Sequence, residues 1–196
     1  MTAEVAPSSG NVLQNIVTYL CFECTTLSQI KLMKLVYLAD VYHMERFGTR
    51  ITDAKFRHWY YGPYSPDVDS EIERLCGTGI IELVSYRTKS GHKAEVPKPK
   101  LEGVTVQLSE SAFEIMEDII EDWGAASSDE VIKYAKSSLP FAGTEFGEEI
   151  DFARTDIVVA CAKEKGISLE EAATYLAENN SGLMAALDKA VENARI

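Results

Sequence analysis

Two runs decide the fold: QIKLMKLVYLADVYHMERFG, residues 29–48, and, after a short polar connection, FRHWYYGPYSPD, residues 56–67. The first is a helix carrying few charges (Lys31, Lys34, Asp40, Glu45 and Arg46) among residues that are apolar or aromatic nearly all round. A helix apolar on most faces has to be central and buried. Ser28 sits at its start and Gly48 at its end. The second run predicts a short aromatic strand from Phe56 to Tyr61, a turn at Gly62-Pro63 and a helix that starts at Ser65-Pro66-Asp67. Serine caps helices, proline fits the first helical position, and the acids Asp67, Asp69 and Glu71 suit the positive end of the dipole.

Working outward, Leu13, Ile16, Val17, Leu20, Cys21 and Cys24 recur at helical spacing and predict an amphipathic first helix capped by Ser9 or Asn11. After the 66–76 helix, with Val68, Ile72 and Leu75 on one stripe, Gly77 and Gly79 break the chain. Ile80–Tyr86 reads as a strand, with a turn at Ser90-Gly91 and a return strand around Ala94–Val96 that Pro97 and Pro99 end or confine to an edge. Val104–Leu108 is a candidate third strand. Ser109 opens a helix with Phe113, Met116, Ile120 and Trp123 as its apolar stripe, ended by Gly124. Ser127 and Glu130 form a capping-box pair for a shorter helix that stops at Pro140. Residues 141–150 are a loop. Three further helical segments follow, roughly 152–165, 168–179 and 182–194. The expected fold class is α+β: a mostly helical domain around the buried helix, with a small antiparallel sheet against it. The division is a domain at 10–150 and a helical extension at 151–196.

The chain has 196 residues and a net charge of −12. No run of apolar residues is long enough to span a membrane. The polar N-terminus MTAEVAPSSG lacks the pattern of a secretory signal, so a cytoplasmic protein is expected. Residues 101–150 hold twelve acids and two bases, a local −10. Such asymmetry speaks about partners: it repels nucleic acid and attracts a basic protein.

Candidates for chemistry are few. Cys21-x-x-Cys24 invites a metal or redox reading, but Cys76 and Cys161 stand alone and both cysteines of the pair fall on the apolar stripe of their helix, so buried thiols are expected. No phosphate loop or catalytic signature occurs. The acid pairs Glu117/Glu121 and Asp118/Asp122 read as solvated helix faces, and His58 as a packed strand residue. No enzyme activity, metal or cofactor is expected. A hairpin carrying Arg87, Lys89, Lys93, Lys98 and Lys100 has a loose winged-helix layout, but the acid-rich helix before it weighs against DNA.

The ordered set Lys31-Leu32-x-Lys34-Leu35-x-Tyr37-Leu38-Ala39-Asp40, then Trp59-x-x-Gly62-Pro63-x-Ser65-Pro66, resembles the Panacea-domain, or SocA-like, antitoxin family. The helix start at Ser109, the helix end at Trp123-Gly124 and the serine-led helix before Pro140 extend the resemblance to about residues 10–150. Lys136 and Phe141 depart from it: family members often carry a histidine and a tryptophan near those places. The resemblance implies an antitoxin that binds and neutralises a cognate toxin. Toxins that handle RNA tend to be basic, so the acidic middle would suit such a partner. Alternatives are delivery of the toxin to a protease, or DNA-binding autoregulation through the 80–100 hairpin. Candidate partner-binding residues are Tyr60, Tyr61 and Tyr64, the acids Glu117, Glu121 and Asp122, and Leu183 and Leu187 on an amphipathic C-terminal helix suited to a groove.

Overall fold

The structure is a computed structural model that describes residues 11–87, 91, 93–152 and 161–179. Helix α1 (Val12–Glu23) is capped by Asn11, whose side chain accepts a hydrogen bond from the Gln14 amide. It buries Ile16, Val17, Leu20 and Cys21, the stripe its spacing predicts. Helix α2 (Gln29–Phe47) begins at Ser28, which accepts from the Lys31 amide, and ends at Gly48 with φ 73°. A left-handed residue there is a glycine's role. Of its 19 residues 13 are buried, which places α2 at the centre. Helices α1, α3 (Pro66–Gly77), α4 (Glu110–Trp123) and α5 (Ser128–Ser137) all pack on it.

The aromatic segment departs from its sequence reading. The strand is only β1 (Arg57–Trp59), and Gly62-Pro63 is not the turn but the start of β2 (Gly62–Tyr64). The pairing Arg57↔Tyr64, His58↔Pro63 and Trp59↔Gly62 leaves Tyr60 and Tyr61 as the tip of a hairpin. No described non-glycine residue has positive φ, and Gly62 (φ 87°) supplies the left-handed backbone that completes the reversal. Ser65 then precedes α3 in extended conformation, with Pro66 in the first turn, but its side chain makes no capping bond.

Strands β3 (Ile81–Arg87) and β4 (Lys93–Pro99) form a second hairpin. The one expected sheet is therefore two separate two-stranded antiparallel sheets. Strand β4 runs through both prolines, with Leu83↔Pro97 and Ile81↔Pro99 in register. A two-stranded sheet has only edges, and residues two apart direct their amide positions to the same side, so both prolines fit without breaking the ladder. Val104–Leu108 is not a strand. Val104 and Leu108 pack against the core as half-buried side chains.

Helix α4 turns a face other than the expected one inward. Ala112, Ile115, Met116 and Ile119 are buried, whereas Phe113 is 43% exposed and Ile120 and Trp123 lie at the margin. Of the predicted stripe only Met116 is central. The capping box of α5 is present, Ser127 and Glu130 bonding reciprocally. A short turn of helix, α6 (Leu139–Ala142), follows with Pro140 in its first turn.

The 141–150 loop is not loose. It lies along β1 through Ile150 N to Phe56 O (2.7 Å), His58 N to Glu148 O (3.0 Å) and Gly147 N to His58 O (2.9 Å). Helix α7 (Leu169–Asn179) starts at Ser168, which bonds reciprocally with Glu171. Ala172 and Leu176 of α7 pack with Cys161, Ala162 and Leu139, so this part of the extension touches α6. Most of the predicted 152–165 helix and all of 182–194 lie outside the described residues, Leu183 and Leu187 included. No described helix is long and apolar enough to cross a membrane.

Candidate functional site

Four polar residues of α2 recur every third position: Lys31, Lys34, Tyr37 and Asp40. All four are buried. Three residues advance a helix by about 300°, so each side chain falls about 60° back from the last and faces a different neighbour. Lys31 Nζ donates to the carbonyls of Thr26 (2.8 Å), Gly124 (2.9 Å) and Ala126 (2.7 Å). Lys34 Nζ donates to the Pro63 carbonyl at 2.7 Å. Tyr37 Oη lies 2.7 Å from Ser138 Oγ. Asp40 accepts from the Ile51 and Thr52 amides, the Thr52 hydroxyl and the Arg50 guanidinium. The stripe thus ties one central helix to the α1–α2 and α4–α5 connections, to β2, to the start of α6 and to the 50–52 turn.

The two lysines differ in surroundings. Lys31 spends its three N–H groups on three carbonyls. Lys34 lies at the floor of a cleft of about 480 Å³. Ile30, Met33, Trp59, Tyr61 and Tyr64 supply its apolar walls. Burial pushes the Lys34 amine down to about 7, opposed by the nearby Asp69 carboxylate. Gly62 makes the floor: a Cβ there would stand 3.3 Å from Lys34 Cε and from Lys136 Cγ. Glycine is needed both for this approach and for its φ of 87°.

Beside the cleft lies an aromatic patch. Trp59 stacks on Phe146 with centroids 5.1 Å apart, and Tyr60 packs on Phe146 at 4.6 Å. Tyr60 is 72% and Tyr61 68% exposed. The patch rests on a rigid base: His58 lies against buried Phe141 at 3.9 Å, and its Nδ1 is 2.7 Å from the Thr144 carbonyl. His58 is therefore packed as its strand position predicts.

The candidate partner residues fall in two groups. Tyr61 and Tyr64 line the cleft, and Tyr60 caps the patch beside it. Tyr64 also bonds Asp69, which raises its phenol above the usual range. Glu117, Glu121 and Asp122 line no part of the cleft; they are exposed on α4. Asp122 accepts from Tyr42, whose oxygen accepts from the Trp123 indole. Arg46 pairs with Glu114 and Asp118, partly neutralising that face. On the basic hairpin, Lys93 pairs with Glu95, and Glu82 stands opposite Lys98. Cys21 and Cys24 are buried free thiols, and burial pushes Cys21 up to about 12. Among the described residues no group of histidines, cysteines and carboxylates is placed to hold a metal ion.

Sequence reading missed Lys34 as a site residue, and Trp59 and Phe146 as parts of a surface. A lysine inside a helix apolar on most faces was the available signal for the first. Phe146 carried none, since only the docking of its loop on β1 brings it to Trp59.

The family model described as "Antitoxin SocA-like, Panacea domain" matches residues 32–139, more than half of the chain. The chain belongs to this family. No curated protein and no solved structure matches it. The Panacea-domain match contains Lys34, Tyr37, Asp40 and the whole β1–β2 hairpin, hence the floor and most of the wall of the cleft. Phe146 and α7 lie beyond the matched part of this Panacea-domain chain.

Proposed function

We propose that this chain is the antitoxin of a toxin–antitoxin pair and neutralises its cognate toxin by binding it directly. The observation that carries the reading, beyond the family, is the aromatic patch of Trp59, Tyr60 and Tyr61 of the β1–β2 hairpin with Phe146 of the loop docked on it, all exposed. Exposed aromatics grouped on a rigid support are the usual anchors of protein interfaces. Tyrosine and tryptophan bury large areas there while ordering few torsions. The acids Glu117, Glu121 and Asp122 on α4 add a negative face that would attract a basic toxin at long range.

The test is growth rescue. The adjacent open reading frame is expressed from an inducible promoter with and without this chain, followed by co-purification. A neighbour toxic alone, harmless with this chain and retained on it supports the reading. The double variant Tyr60→Ala/Tyr61→Ala should lose both rescue and retention while keeping its thermal transition. Rescue by a protein that never retains the toxin, with toxin levels falling, would replace inhibition by delivery to a protease. Absence of toxicity in both neighbours would overturn the proposal.

A further inference from the structure

We propose that the cleft over Lys34 is a binding site for a small monocarboxylic acid with an aromatic or branched aliphatic body, its carboxylate paired with the Lys34 ammonium. The argument starts from the contrast along α2. Lys31, one turn earlier and equally buried, is saturated by three carbonyls. Lys34 has the same three donors but makes one described hydrogen bond, to Pro63. Lys34, itself only 2% exposed, is among the residues that line a cleft of about 480 Å³. A buried ammonium with spare donors is costly unless an anion joins it.

The charges facing Lys34 leave that role open. Asp69 of α3 attracts it at a distance but is held by Gln29 and Tyr64. Lys93 and Glu95 of β4 line the cleft and pair with each other. Lys136 of α5 approaches Gly62 with its methylenes. With Lys93 paired to Glu95, Lys34 is the lysine of the cleft lining left without a described ion pair, and one such cation beside apolar side chains suits one carboxylate; a phosphate dianion would need several converging donors. The volume of about 480 Å³ lies at the small end of ligand sites, roughly 300–1,000 Å³. Trp59, Tyr61 and Tyr64 offer flat faces to a ring, and Ile30 and Met33 offer aliphatic contact.

Protonation and binding are then coupled. Burial holds free Lys34 near 7, and a bound carboxylate must raise it, because it favours the charged amine. Affinity should therefore fall as pH rises. The experiment titrates the full chain with 3-phenylpropanoate and with its neutral amide, by calorimetry at pH 6 and pH 9, while NMR follows the Lys34 side chain. The expected result is binding of the acid at pH 6, weaker by about tenfold or more at pH 9, with the amide at least about tenfold weaker and the Lys34 titration moved upward at saturation. Lys34→Met should abolish binding. Because that change also strips Pro63 of its donor, Trp59→Ala, at a surface position, serves as the second variant and should weaken binding about fivefold or more with folding intact. Equal binding of acid and amide, equal affinity at both pH values, or no binding up to about 10 mM acid would overturn the proposal.

Discussion

At the scale of single residues, the buried polar stripe of α2 separates groups that hold the fold from groups that the fold tolerates. Lys31 bonds three carbonyls from two connections. Lys31→Met removes the lysine donor from all three, leaving Gly124 with only the Thr26 hydroxyl, and we expect a loss of about 2–4 kcal/mol in urea unfolding. Lys34→Met loses one bond and relieves the burial of an amine, so its cost should stay near or below about 1 kcal/mol. Reversal of that order would show that the Pro63 contact anchors the hairpin. Glu45 offers a pH test. Burial pushes its carboxyl from 4.5 up to about 7. Between those values the unfolded chain is ionised while the folded one keeps its proton, so this group's contribution falls as pH rises from 4.5 to 7 and is flat above. The loss is about 3 kcal/mol at most. Glu45→Gln should therefore stabilise the protein at pH 8 relative to pH 5 when each is compared with the parent chain by urea unfolding.

At the scale of elements, helix boundaries were legible because they rest on local chemistry. Asn11, Ser28, Ser109 and Ser127 each cap a helix through a side-chain bond. Gly48 closes α2 with φ 73°, and Gly48→Ala should cost about 1 kcal/mol in thermal unfolding without altering the fold. Pairing partners were less legible. Gly62-Pro63 looked like a turn because both residues punctuate chains, but a glycine directly after a reversal does the same work from inside the second strand. The inward face of α4 was misread because Phe113 and Trp123 are large and apolar, and size does not say which side meets α2. Trp123 instead donates its N–H to Tyr42 at the margin. The cleft was invisible in one dimension, since its floor belongs to α2, its walls to β1–β2 and its rim to β4. The Ser65 side chain is a further surprise: a hydroxyl in the expected capping place is buried with no hydrogen-bond partner.

At the scale of the whole molecule, charge and aromatic surface sit on different elements, so their effects on a partner should separate. Replacing Glu117, Glu121 and Asp122 by their amides should slow toxin association and flatten its dependence on salt, with little change in dissociation. Tyr60→Ala/Tyr61→Ala should do the reverse, speeding dissociation. Surface plasmon resonance at several ionic strengths reads both, and identical kinetic signatures would mean one merged contact. Neither set should lower stability by more than about 0.5 kcal/mol, because all five side chains are exposed. The β3–β4 hairpin has a consequence of another kind. In the ladder, the pair Ile80 and Lys100 is hydrogen-bonded, so the positions of Pro97 and Pro99 fall in register with residues whose amides would point away from β3. Proline has no amide hydrogen to offer there. The outward side of β4 therefore keeps its carbonyls and the amides of Lys93 and Glu95 but lacks two donors in succession at its Pro97–Pro99 end, so a strand adding there would leave two of its own carbonyls unpaired.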